Sequence, residues 1–66
     1  MALTINDGER DVLIGLAAGY TRAEIADALE VSVSTVNNRI YEAQRRNKIT
    51  TSYQLLARYV YDIHEE

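Results

Sequence analysis

TRAEIADALEVSVSTVNNRIYEAQRR, residues 21–46, carries two helical repeats of apolar residues separated by the short link Glu30-Val31-Ser32. Ile25, Ala26 and Leu29 recur at helical spacing before the link, and Val36, Ile40 and Ala43 recur after it. Both helix starts are marked. Thr21 followed three residues later by Glu24 is a capping box, with Tyr20 and Ile25 placed as its hydrophobic staple; Ser32 caps the second helix, with Val31 and Val36 as the staple pair. Ala26 suits a close crossing, because a larger side chain on the first helix would push the second away. The spacing predicts a helix-turn-helix, with helices over about 22–29 and 33–46.

The flanks predict two further helices. Asn6 and Glu9 cap a first helix over about 7–18, whose early carboxylates Asp7, Glu9 and Asp11 suit the positive end of the helix dipole. Val12, Leu13, Leu16 and Ala17 form its expected buried stripe, and Gly19 is the expected left-handed stop. Gly15, inside this helix, costs about 1 kcal/mol relative to alanine, so it implies either a close neighbour or simple tolerance. Thr51 and Gln54 announce a fourth helix over about 52–63. Its apolar residues Leu55, Leu56, Tyr59, Val60 and Ile63 make a stripe wide enough for a self-association surface, the alternative being that all five complete the core. Most of the five tyrosines are expected to pack with a wet hydroxyl. The expected fold class is therefore all-α, a single four-helix domain spanning 1–66.

Composition narrows the function. The chain is 66 residues long and 47% hydrophobic, enough for one thin core that a dimer partner would support. It has no cysteine, which removes disulfides and thiolate metal sites and fits a cytoplasmic location. No apolar run approaches the roughly 20 residues of a membrane span, and residues 1–7 lack the pattern of a secretory signal, so no membrane partner is expected. No nucleophile–base pair, phosphate-cradling glycine loop or metal constellation is present. No catalytic residue, metal or cofactor is assigned, and His64 stands alone in an acidic end.

The net charge of −3 is unevenly spread. Residues 1–32 hold Arg10 and Arg22 against Asp7, Glu9, Asp11, Glu24, Asp27 and Glu30, whereas residues 33–48 hold Arg39, Arg45, Arg46 and Lys48 against Glu42 alone. A basic helix on an acidic body can neutralise a few phosphates, or its arginines can simply solvate an exposed face. With Val36, Ile40 and Ala43 buried, Ser34, Asn37, Asn38, Tyr41 and Arg45 fall on the outer side. Asparagine can match two groups on an adenine edge, tyrosine and serine can bond phosphates or bases, and arginine can hold a phosphate or a guanine. Mid-helix asparagine is a poor helix former, so two in tandem there favour reading DNA over filling surface.

The order of residues in INDGERDVLIGLAAGYTRAEIADALEVSVSTVNNRI resembles the DNA-binding domain of the LuxR/GerE family of bacterial transcription regulators. Gly19, Glu24, Ile25, Ala26, Leu29, Ser32, Thr35 and Val36 carry the likeness, which continues more weakly through Ile49, Thr51, Leu55 and Leu56. The resemblance implies a four-helix domain whose third helix enters the major groove and whose fourth forms a dimer contact. It places Thr35, Asn37, Asn38 and Tyr41 toward DNA and Arg45 near the backbone. Asn37 stands where the family usually has lysine, and Arg39 is the expected replacement for that phosphate contact. Asn47 and Lys48 stand where the family has leucine and glycine, which points to Asn47 as the left-handed end of the third helix. Ser52 stands where arginine is often found. Full-length members often add a receiver or ligand-binding domain; without one, control by concentration, a partner or expression is expected, unless the chain is a fragment.

The functional expectation is a small sequence-specific regulator that binds double-stranded DNA as a homodimer. Its DNA-binding residues would be Ser34, Thr35, Asn37, Asn38, Arg39, Tyr41, Arg45 and Arg46, and its dimer interface Leu55, Leu56, Tyr59, Val60 and Ile63. Two alternatives stand beside it. One is a protein-interaction module that docks a protein partner through Leu55, Tyr59 and their neighbours. The other is a promoter-binding domain similar to the fourth region of sigma factors, against which the extra segment Tyr53 to His64 argues.

Overall fold

The computed structural model describes residues 2–65; Met1 and Glu66, which enter the sequence reading above, lie outside them. Four helices follow one another: α1 Asp7–Ala17, α2 Arg22–Leu29, α3 Val33–Arg46 and α4 Ser52–Glu65. The predicted elements are all present, with α1 one residue shorter and α4 two residues longer than expected.

The starts follow the capping logic. The Asn6 side chain accepts from the Glu9 N–H at 2.8 Å while the Glu9 carboxylate accepts from the Asn6 N–H at 3.1 Å. Thr21 and Glu24 repeat this reciprocal pair at α2. Ser32 accepts from the Thr35 N–H at α3, and Thr51 accepts from the Gln54 N–H at α4. Each start thereby satisfies N–H groups that have no partner within the helix.

The ends share a device that was only partly legible. At each of three links an N–H reaches back five residues: Tyr20 to the Gly15 carbonyl, Val31 to Ala26 and Ile49 to Gln44. That closure needs a left-handed residue just before the donor, and those residues are Gly19, Glu30 and Lys48, with φ of 93°, 58° and 56°. Asn47 has φ −97° and is not the left-handed residue. Its amide is occupied instead: Nδ2 donates to the Ala43 and Thr4 carbonyls, and Oδ1 accepts from the Thr4 N–H. The strained position therefore falls to Lys48.

Val12, Leu13, Ile25, Ala26, Val36, Ile40, Ala43, Ile49, Leu55 and Tyr59 form the core, and Leu3, Ile5, Leu16, Leu29, Val31 and Leu56 pack around it. Ala17, expected in the buried stripe, is exposed at the last turn of α1. The tyrosines also depart from expectation. Tyr59 alone is in the core, while Tyr20, Tyr41, Tyr53 and Tyr61 are exposed. Gly15 has the close neighbour: a Cβ there would lie 2.7 Å from Cγ1 and 2.9 Å from Cδ1 of Ile25. No helix among the described residues is long and apolar enough to cross a membrane.

Two stability changes follow. Lys48→Gly relieves a left-handed side chain that costs roughly 1–2 kcal/mol, less the added freedom of the unfolded chain, so chemical denaturation should show a net gain of about 0.5–1 kcal/mol. Gly15→Ala has the opposite sign. The gain in helix propensity, about 1 kcal/mol, is outweighed by overpacking against Ile25 at roughly 1–3 kcal/mol, and the thermal midpoint should fall.

Candidate nucleic-acid interface

α3 is seated through Val36, Ile40 and Ala43, all buried, which fixes the direction of its remaining side chains. Ser34, Asn38, Tyr41 and Arg45 recur every three or four residues and are all exposed, forming one polar ridge opposite the core. Glu42 flanks this ridge and lies 3.6 Å from Arg45, both well exposed. Such a pair is weak in water and can be exchanged for a phosphate.

The other expected DNA-binding residues sit at the margins. Thr35 is half-buried, with its hydroxyl 3.0 Å from that of Ser32. Asn37 is exposed, and its Oδ1 accepts from Nη1 of Arg22 at 2.7 Å. Arg39 turns toward α1, its Nε 3.3 Å from where a Cβ on Gly8 would stand. Arg46 departs furthest from its expected place. It donates to the Glu9 carboxylate and to the Thr4 carbonyl, so it ties the end of α3 to the start of α1 instead of joining the ridge.

Glu9 explains why Arg46 is drawn inward. Only 3% of Glu9 remains accessible. Burial alone would raise its carboxyl pKa, but the Arg46 hydrogen bond, the Asn6 N–H and the adjacent Arg46 charge together outweigh it and hold the pKa below the ordinary 4.5. The same hydrogen bond raises Arg46. The pair was not legible in the sequence, since the partners are 37 residues apart and each had a sufficient local explanation. Arg22 was missed for the same reason: it follows a cap residue and carries no sign of its link to α3.

On α4, Leu55 and Tyr59 are buried against the chain's own core, which corrects their place in the expected dimer stripe. Leu56 and Val60 are half-buried, while Ile63 and Tyr53 are exposed, the latter at 82%. The outward stripe is therefore Tyr53, Leu56, Val60 and Ile63. Among the described residues no cluster of His, Cys, Asp or Glu could hold a metal ion.

Residues 4–59 match the GerE family model, described as bacterial regulatory proteins of the luxR family. The chain belongs to this family. The match covers all of α1, α2 and α3 and the first half of α4, and it identifies the molecule as a helix-turn-helix DNA-binding domain of LuxR type, a class of regulators and not of enzymes. No match was found among curated proteins or solved structures. Within this GerE-type domain the ridge on α3 is the polar surface of the second helix of the motif.

The Glu9–Arg46 pair carries a pH dependence of defined sign. Because the folded pKa is lowered, its contribution is complete above the unfolded value of about 4.5 and is lost as pH falls through the lower folded value. Arg46→Met leaves a buried carboxylate unpaired. It should lower stability at neutral pH, and denaturation at a series of pH values should show the gap to wild type narrowing as Glu9 protonates.

Proposed function

We propose that this chain is a small sequence-specific transcription regulator, acting inside the cell as a homodimer, with α3 of its helix-turn-helix laid in the major groove of double-stranded DNA. The family match supports a DNA-binding role, and the observation that carries the finer reading is the ridge Ser34, Asn38, Tyr41 and Arg45. It is uninterrupted, polar and free of apolar bulk apart from the tyrosine ring. In this reading Asn37, Asn38 and Tyr41 meet base edges, Ser34 and Arg45 meet phosphates, and Thr35 and Arg39 lie along the groove walls.

The dimer contact in this reading is the α4 stripe. Tyr53, Leu56, Val60 and Ile63 are spaced three, four and three residues apart, the spacing with which one helix meets another along a seam. Two copies joined there would read an inverted repeat with half-sites about one helical turn apart, ~34 Å. The acidic body lowers non-specific affinity, so discrimination rests on the ridge and binding weakens steeply with salt.

Selection of bound sequences from a random double-stranded library, at low and then moderate salt, tests this. A two-fold symmetric site is expected. Asn38→Ala should relax preference at one position per half-site, whereas Arg45→Ala should weaken all sequences and reduce the salt slope by about 1 per subunit. A chain that stays monomeric, selects no sequence at either salt and binds one protein partner would instead be an interaction module on the same scaffold.

A further inference from the structure

Arg22 opens α2 with a half-buried side chain whose guanidinium lies beside the α3 ridge. Nη1 donates to Oδ1 of Asn37 at 2.7 Å, and Nη2 donates to the hydroxyl of Ser52, the first residue of α4, at 3.2 Å. One side chain thus joins three helices through two neutral partners. The chemistry also fixes the orientation of the Asn37 amide. A guanidinium has only donors, so the amide must turn its oxygen toward Arg22 and its NH2 away. Nδ2, with its two hydrogens, is what Asn37 offers to anything approaching α3.

We infer that Arg22 is a specificity-determining positioning residue: by turning the Asn37 carbonyl toward itself it leaves Asn37 presenting its Nδ2 donors to a base, and so selects guanine over adenine. The inference rests on the DNA-reading role proposed above and deepens it. In the major groove adenine presents the N7 acceptor beside the N6 donor, and asparagine matches both only when the oxygen and the NH2 of its amide face the base together. Guanine presents N7 and O6, two acceptors, which Nδ2 can serve without the carbonyl. Docking expels water from this edge and strengthens the Arg22–Asn37 bond, while the Ser52 bond holds the guanidinium from its other side. Asn38 differs from its neighbour. No side chain among the described residues engages its amide, so both ends stay open and it retains the adenine match. Two adjacent asparagines become readers of different bases because only one of them has an arginine behind it.

The test is selection from a random double-stranded library with wild type, Asn37→Ala and Arg22→Met, after circular dichroism has shown which variants are folded. The position whose preference disappears in Asn37→Ala marks the contact. Guanine is expected there in wild type, favoured over adenine by roughly tenfold or more, the scale of a good base contact. Arg22→Met should move that one position toward adenine and leave the rest of the motif unchanged. Adenine at the marked position in wild type, no position responding to Asn37→Ala, or a folded Arg22→Met with an unchanged motif would each overturn the inference while leaving a selected motif, and so the DNA-binding role, intact. Absence of any motif from wild type would sink both. If Arg22→Met does not fold, wild type is measured on its selected site with 7-deazaguanine at the marked position. A loss of roughly tenfold is expected, and unchanged affinity overturns the inference.

Discussion

The packing of Val36, Ile40 and Ala43 against the other helices is the contact on which the remaining architecture depends. α3 must bury one side completely and leave the opposite side free, and three small or branched apolar residues spaced four and three apart do this with little bulk. Ala26 on α2 permits the close approach that this arrangement requires. Gly15 plays the corresponding part between α1 and α2, where the Ile25 side chain occupies the space a Cβ would take. Once α3 is seated, the direction of Ser34, Asn38, Tyr41 and Arg45 is decided by helix geometry alone.

Polar contacts then close one corner of the bundle. The segment before α1 has no helix to satisfy its backbone, so side chains do this: Asp62 accepts from the Leu3 N–H, while Asn47 and Arg46 hold both backbone groups of Thr4. Glu9 sits at the centre of this corner, capping α1 through Asn6 and anchoring Arg46 of α3. Because a buried carboxylate is tolerable only when paired and hydrogen-bonded, the fold commits one of its few cations to structure.

That commitment changes the meaning of the charge pattern. In the sequence the third helix is a basic stretch, yet its cations are divided in space: Arg46 is held by Glu9, Arg39 lies over Gly8, and Arg45 on the ridge stands beside Glu42. Arg22, from the acidic half of the chain, is instead brought to the edge of α3. The polar surface around the second helix of the motif is therefore less basic than its own sequence suggests, and its character rests on amides, hydroxyls and one tyrosine. Hydrogen-bond donors and acceptors, more than charge, are what this surface presents.

By itself the sequence determined the four helices, the caps at their starts, the core faces of α2 and α3, the Val12, Leu13 and Leu16 part of the α1 face, and the ridge on α3, because each depends on residues within a turn or two of one another. Asn6 with Glu9, Thr21 with Glu24, and the repeat of Val36, Ile40 and Ala43 are local signals with local outcomes. Only the tertiary structure decided which residues of the α4 stripe are consumed by the core, which cation pairs with Glu9, and which asparagine has its carbonyl occupied. Those outcomes join residues 37 positions apart in the Glu9–Arg46 pair and 15 apart in the Arg22–Asn37 pair, and they are set by how the helices cross. The left-handed residues lie between these cases. Gly19 announces itself, whereas Glu30 and Lys48 occupy the same conformation because the five-residue closure and the apolar residue after each outweigh the strain of a side chain there.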